Sequence, residues 1–246
     1  MGVYYTGKEV IVMPRIARIK FENLTYHVIS RGNNKMEVFH KKEDYEHYLK
    51  IIHKYQQKFT FFLYHFVLMP NHVHLLFKSP SDISKLMHSI NLSYAQYYKK
   101  NYQHIGHFWQ DRFKSYIVED DAYLITVGKY IELNALRAGL VKSPEEYKYS
   151  SYNFYAYGKG YGVILTPDPW FLNLSEDPII RRQRYRESIL ADIVEPKIVK
   201  SQFIGSEDFI LSLMKEKFRK RIKRNRGRPR KKSNKLMYNF LCNNKI

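Results

Sequence analysis

The chain has 246 residues with 42 Lys and Arg against 23 Asp and Glu, a net charge of +19 and a sequence pI near 9.7, a balance that points to a polyanionic partner. Its longest apolar run, Phe59 to Met69, is too short to cross a bilayer and is interrupted by His65, which argues against a membrane partner. A single cysteine, Cys242, excludes an internal disulfide, so a soluble cytoplasmic protein is expected. The charge is uneven: Lys215 to Lys232 holds 12 of the basic residues and one acidic residue, a local +11, and leaves +8 for everything else. A body and a basic tail are implied. The 22 Tyr, 15 Phe and 2 Trp are mostly core candidates, but rings beside positive charge are also what unstacked bases pack against.

Residues 1–12 lack a helical period and read as a loose extension. Thr25 to Arg31 has the β-branched and aromatic content of a strand, and Gly32-Asn33-Asn34 is turn chemistry. From Lys41 to Tyr55, apolar residues at Tyr45, Tyr48, Leu49, Ile52 and Tyr55 mark an amphipathic helix. Thr60 to Leu68 and His72 to Lys78 read as two strands of a hairpin turned at Met69-Pro70-Asn71. A second helix follows Asp82 and runs to about Lys100. Arg112 to Val118 is a short strand, and Asp120 is placed to cap a third helix that stops at Gly139. The order strand, helix, strand, strand, helix, strand, helix suits an α+β fold, a ferredoxin-like or RNA-recognition-motif-like antiparallel sheet with helices mainly on one face. We expect a catalytic body over 13–155, a connecting segment with a short helix over 156–205, and a basic tail, helical then disordered, over 206–246.

Side chains alternate along a strand, so His72 and His74 share one face, where two neutral imidazoles can bind a single cation. A pair of hydrogen-bonded histidines on a half-exposed strand would look the same. On the third helix Leu124, Val127, Gly128, Ile131, Ala135 and Ala138 form the apolar stripe, with Tyr123, Tyr130 and Asn134 on its flank. If that helix crosses the histidine face, Asn134 adds an amide oxygen and Tyr130 a phenol.

His72-Val73-His74 resembles the histidine–hydrophobic–histidine (HUH) motif of single-tyrosine transposases from bacterial insertion sequences, and Tyr130 to Val141 resembles their tyrosine helix. Trp109-Gln110-Asp111-Arg112-Phe113 and Ser150-Ser151-Tyr152 resemble more particularly the REP-associated tyrosine transposases. One departure is visible, since that branch usually has Asn-Pro where this chain has Asn134-Ala135.

The resemblance implies the HUH endonuclease fold and a bacterial, nucleoid-associated enzyme that cleaves and rejoins single-stranded DNA at hairpin-associated sites through a 5′-phosphotyrosine. Tyr130 would be the nucleophile, with Tyr123 its rival, and His72, His74 and Asn134 would hold Mg or Mn. Because a tyrosine phenol titrates near about pH 10, a nearby cation or base must favour the phenolate. The same resemblance marks Trp109, Gln110, Arg112 and Lys114 for contact with single-stranded or hairpin DNA, and Arg31 and Asn33 lie at a strand end suited to gripping a hairpin. Gly227-Arg228-Pro229-Arg230, with Arg226 beside it, resembles an AT-hook core for a narrow minor groove. Whether the protein is a monomer or a homodimer, with the tyrosine acting in its own chain or across it, stays open. The alternative is a domesticated hairpin-binding protein that no longer moves DNA; intact His72, His74, Tyr130 and Asn134 favour the enzyme, for which a pure binder has no chemical need.

Overall fold

The computed structural model describes residues 3–6, 9–12, 21–120, 122–191 and 203–224. It divides into two units, Met1–Ile210 and Leu211–Ile246. In the first, β1 (Val3–Thr6) and β2 (Glu9–Val12) pair antiparallel, so the expected loose extension contains a two-stranded ribbon.

The main sheet is built from β3 (Leu24–Arg31), β4 (Phe62–Met69), β5 (His72–Ser79), β6 (Lys114–Val118) and β7 (Phe203–Ile204). Its order is β4-β5-β3-β6-β7, antiparallel throughout except for β7, which runs parallel to β6. With α1 (Lys42–Gln56) between β3 and β4, and α2 (Ile83–Tyr102) between β5 and β6, the first four of these strands give the expected α+β, ferredoxin-like arrangement.

Local chemistry sets the boundaries. Gly32 follows β3, where only a residue without a Cβ fits, since a Cβ there would stand 2.4 Å from Met36 O. Asp44 reaches back from the first turn of α1 to accept from the His40 and Lys41 amides, and Asp82 caps α2 by accepting from Ser84 N. β4 and β5 are joined by Pro70-Asn71 alone; Pro70 O accepts from Val38 N and Phe39 N, and Asn71 O from Gly32 N, so the turn is anchored to the end of β3.

One face of the sheet is covered by α2, whose Asn91 bonds Ser30, with α1 packed on α2. The opposite face carries α3 (Ala122–Glu132) over β4 and β5, where Leu124, Val127 and Ile131 pack with Val67, Met69, Leu76 and Val118. The expected continuous third helix is interrupted: Leu133 separates α3 from the short α4 (Asn134–Arg137), and Ala138, expected in the buried stripe, is exposed. Asp120, expected as its cap, instead receives Lys78 Nζ at 2.6 Å.

The stretch expected to be a connector is part of the body. α5 (Tyr152–Tyr157), α6 (Pro169–Asn173) and α7 (Pro178–Ala191) build an apolar cluster of Tyr152, Tyr155, Phe171, Tyr185 and Ile189 that takes in Leu133, so a boundary at 155 would cut α5. Strand-like segments also run along β4. Leu68 N donates to Tyr149 O, Ser151 N to Phe66 O and Thr166 N to Leu63 O. α8 (Glu207–Arg224) begins in the first unit and continues into the second. Arg226, Arg228 and Arg230 lie outside the described residues. No described helix is long and apolar enough to cross a membrane.

Candidate active site

The strand register lays out the site in rows across the face that α3 half covers. His65, Leu76, His27 and Tyr116 form one row, Val67, His74, Ile29 and Lys114 the next, and Met69, His72 and Arg31 the third. His72 and His74 therefore do share a face, with their ring centroids 4.9 Å apart.

Tyr130 projects from α3 onto this group, with its ring edge-on 5.8 Å from His74 and 6.2 Å from His27. Tyr123 makes no such ring contact among the described residues and is 38% exposed. The Tyr130 hydroxyl has no hydrogen-bond partner among the described residues, while the Arg137 guanidinium lies 5.4 Å from its ring centroid. Asn134, beyond the interruption at Leu133, is half-buried, and no hydrogen bond joins its amide to either histidine.

Electrostatics keep all three imidazoles neutral. Burial pushes His27 down to about 3. Burial, with Arg31 nearby, pushes His72 down to about 4, and burial, His27, His72 and Arg31 together hold His74 well below the usual range. A neutral imidazole is the form that binds metal. The His72 Nδ1–H donates to Asn71 Oδ1 at 2.5 Å, which leaves Nε2 as a lone pair. Among the described residues no three His, Cys, Asp or Glu are gathered into a metal-binding group, so an ion here would need oxygen donors. The Asn134 amide oxygen and a phosphate oxygen of a substrate are donors of the chemical kind that a divalent ion takes beside two neutral imidazoles.

The residues expected to touch DNA gather at the end of β3. Asn33 N donates to Phe108 O and Gln110 N to Arg31 O, and Gly32 bridges Trp109. Arg31, Gln110, Arg112 and Lys114 are exposed there and Asn33 is half-buried. Trp109 is turned inward, its indole N–H donating to Asn91 O at 2.9 Å, so its ring edge is already committed to the fold.

A second polar cluster, around His65, lies under α3. His65 donates from Nδ1 to Glu132 Oε1 at 2.9 Å and from Nε2 to Asp168 Oδ2 at 3.1 Å. Glu132 also accepts from Ser151 Oγ at 2.6 Å and Tyr185 OH at 2.5 Å. Burial alone would lower His65, but its bonds to Asp168 and Glu132 and their charges reverse this and raise it to about 9. Gly128 of α3 abuts the ring: a Cβ there would stand 2.8 Å from His65 Nε2.

Against this geometry, residues 20–134 match the sequence model of the IS200-like transposases. That segment, a little under half of the chain, is similar to the IS200-like transposases. The match supports a transposase-type function for the segment. Among solved structures the chain is similar to a REP-associated tyrosine transposase bound to a REP hairpin, with a TM-score of 0.51 and 18% identity over 63% of this chain and 93% of that one. A candidate transposase from Deinococcus radiodurans is matched with a TM-score of 0.33 and 16% identity over 54% of this chain and 97% of that one. No curated protein matches.

His27, Tyr116 and Arg137 are the site neighbours that sequence reasoning missed. The alternation of His27, Ile29 and Arg31 along β3 was a visible signal, but nothing local says that β3 lies beside β5.

Proposed function

We propose that this chain is an IS200-like transposase that cleaves and rejoins single-stranded DNA at hairpin-associated sites, with Tyr130 as nucleophile and a divalent ion, Mg or Mn, held by His72, His74 and Asn134. The observation that carries the reading is the seating of the Tyr130 ring over His74 and His27, on the part of the sheet face that also presents Arg31 and Lys114.

The bound ion would supply Lewis-acid polarisation of a non-bridging phosphate oxygen. Arg31 and Lys114 attract the phosphodiester and hold the strand against the face. The Tyr130 oxygen attacks phosphorus in line, a phosphorus–tyrosine bond forms, and the bond to the departing 3′ oxygen breaks, leaving a free 3′-hydroxyl and a 5′-phosphotyrosine. The Arg137 guanidinium, 5.4 Å from the ring centroid, stands beside the attacking residue. A 3′-hydroxyl from another DNA end reverses the step. The linkage energy is conserved, so no nucleotide cofactor is needed. The basic tail, including Arg226, Arg228 and Arg230, adds affinity through phosphate neutralisation.

The test uses a labelled single-stranded hairpin DNA with Mg or Mn and a denaturing gel. Wild-type protein should carry a covalently linked strand, Tyr130→Phe should bind the hairpin equally but form no adduct, and Tyr123→Phe should behave as wild type. An adduct that survives in Tyr130→Phe and vanishes in Tyr123→Phe would assign the chemistry to the other ring.

A further inference from the structure

On the reading of His72 and His74 as metal ligands, we propose that His27 is a positioning residue that places the proton of His74 on Nδ1 and so frees His74 Nε2 for the ion. His27 lies on β3, in register with Leu76 and one row from His74. Its Nε2 is 2.8 Å from His74 Nδ1, and the two rings stack with centroids 5.1 Å apart. Both are almost wholly buried, at 1% and 3% exposure, so water does not compete for the contact.

Two ring nitrogens this close must share one proton, since paired lone pairs would repel and paired N–H groups would collide. His74 Nδ1 is therefore committed to His27, and Nε2 is the nitrogen left for an ion. An ion on Nε2 requires the His74 proton on Nδ1, where a buried N–H without an acceptor is unfavourable. His27 Nε2 is that acceptor. The other nitrogen of His27, Nδ1, is buried without a partner among the described residues, so accepting at Nε2 leaves an unsatisfied N–H there, a cost that the bond of the ion to His74 Nε2 must offset. Tyr116 and Tyr130 pack around the same ring, at 5.9 and 6.2 Å between centroids, and hold its plane. Metal-ligating histidines commonly depend on such a partner for tautomer and orientation.

The experiment is Mn titration of DNA-free, full-length protein, with free Mn read by electron paramagnetic resonance, for wild type, His27→Phe, His27→Gln and the His72→Ala/His74→Ala pair. Hairpin binding in chelator is measured alongside. His27→Phe keeps the ring but removes the acceptor and should weaken Mn binding about 10- to 100-fold. His27→Gln retains an acceptor oxygen and should restore most of the loss, while hairpin binding in chelator stays at the wild-type level in both. Equal Mn affinity in wild type and His27→Phe would overturn the role of His27 and leave the metal site standing. A parallel loss of hairpin binding in chelator would also overturn it, by showing that the ring only supports the fold. Wild-type protein that binds Mn no better than the His72→Ala/His74→Ala pair would overturn the metal site and this inference together.

Discussion

His65 and His27 stand in one row across the sheet, on either side of Leu76, and both are buried, yet their electrostatics are opposite. His65 is held between Glu132 and Asp168 and titrates near 9, whereas His27 meets only His74 and aromatic rings and titrates near 3. Burial drives an imidazole neutral; carboxylates at hydrogen-bond distance overcome it. The acid-rich end is thereby an ionic clamp joining α3, β4 and the loop before α6, while the acid-free end keeps its imidazoles neutral. Tyr130 and Glu132 are two residues apart on α3, so one helix is fastened at the first cluster and presents its phenol at the second.

The strongest way to break this comparison is at the acid-free end. His72→Ala removes a half-buried ring and should reduce metal-dependent hairpin cleavage to background while leaving the denaturation midpoint near wild type. Undiminished cleavage would deny that end its chemical role. At the acid-rich end the effect should fall on stability. His65→Ala leaves two buried carboxylates without their cation and should cost about 3–5 kcal/mol in urea denaturation at neutral pH. Because His65 titrates higher in the folded chain than its ordinary 6.5, its stabilisation is complete below that value and is lost as pH rises through about 9. Wild type should therefore lose more stability than His65→Gln between neutral pH and about pH 10. Parallel declines would mean that the folded imidazole is already neutral. The smallest of these effects belongs to Gly128→Ala, whose methyl meets His65 and should cost about 1–3 kcal/mol as α3 is displaced. Adduct yield should fall with it, since Tyr130 moves with the helix; an unchanged yield would separate the clamp from the chemistry.

What could be read from the sequence was what is written locally. His72 and His74 are two residues apart on one strand, so their shared face needed only strand alternation, whereas the choice of Tyr130 over Tyr123, which lies on the same flank, needed the spacing to Asn134 and the family resemblance together. His27 is separated from His74 by 47 residues and joins it only through the pairing of β3 with β5, which alternation cannot supply. Asp168 falls in the segment 156–205 expected to be a connector, and its burial against His65 depends on α5 to α7 folding back over β4. Gly128 was legible as a small residue in an apolar stripe, but not as the gap that admits an imidazole. The interruption at Leu133 had no Pro or Gly to announce it.

The segments that run along β4 set a lower limit on what can fold alone. The family match ends at residue 134, but Tyr149, Ser151 and Thr166 supply the backbone partners of Leu68, Phe66 and Leu63. A fragment cut at the end of the match would leave an apolar outer strand with open amides and carbonyls, a template for pairing with a second copy. In this chain the β4 edge of the sheet is covered by its own later residues, so a piece that keeps this edge paired extends well past the segment matched by the family model, to the cluster around Tyr185 and Ile189.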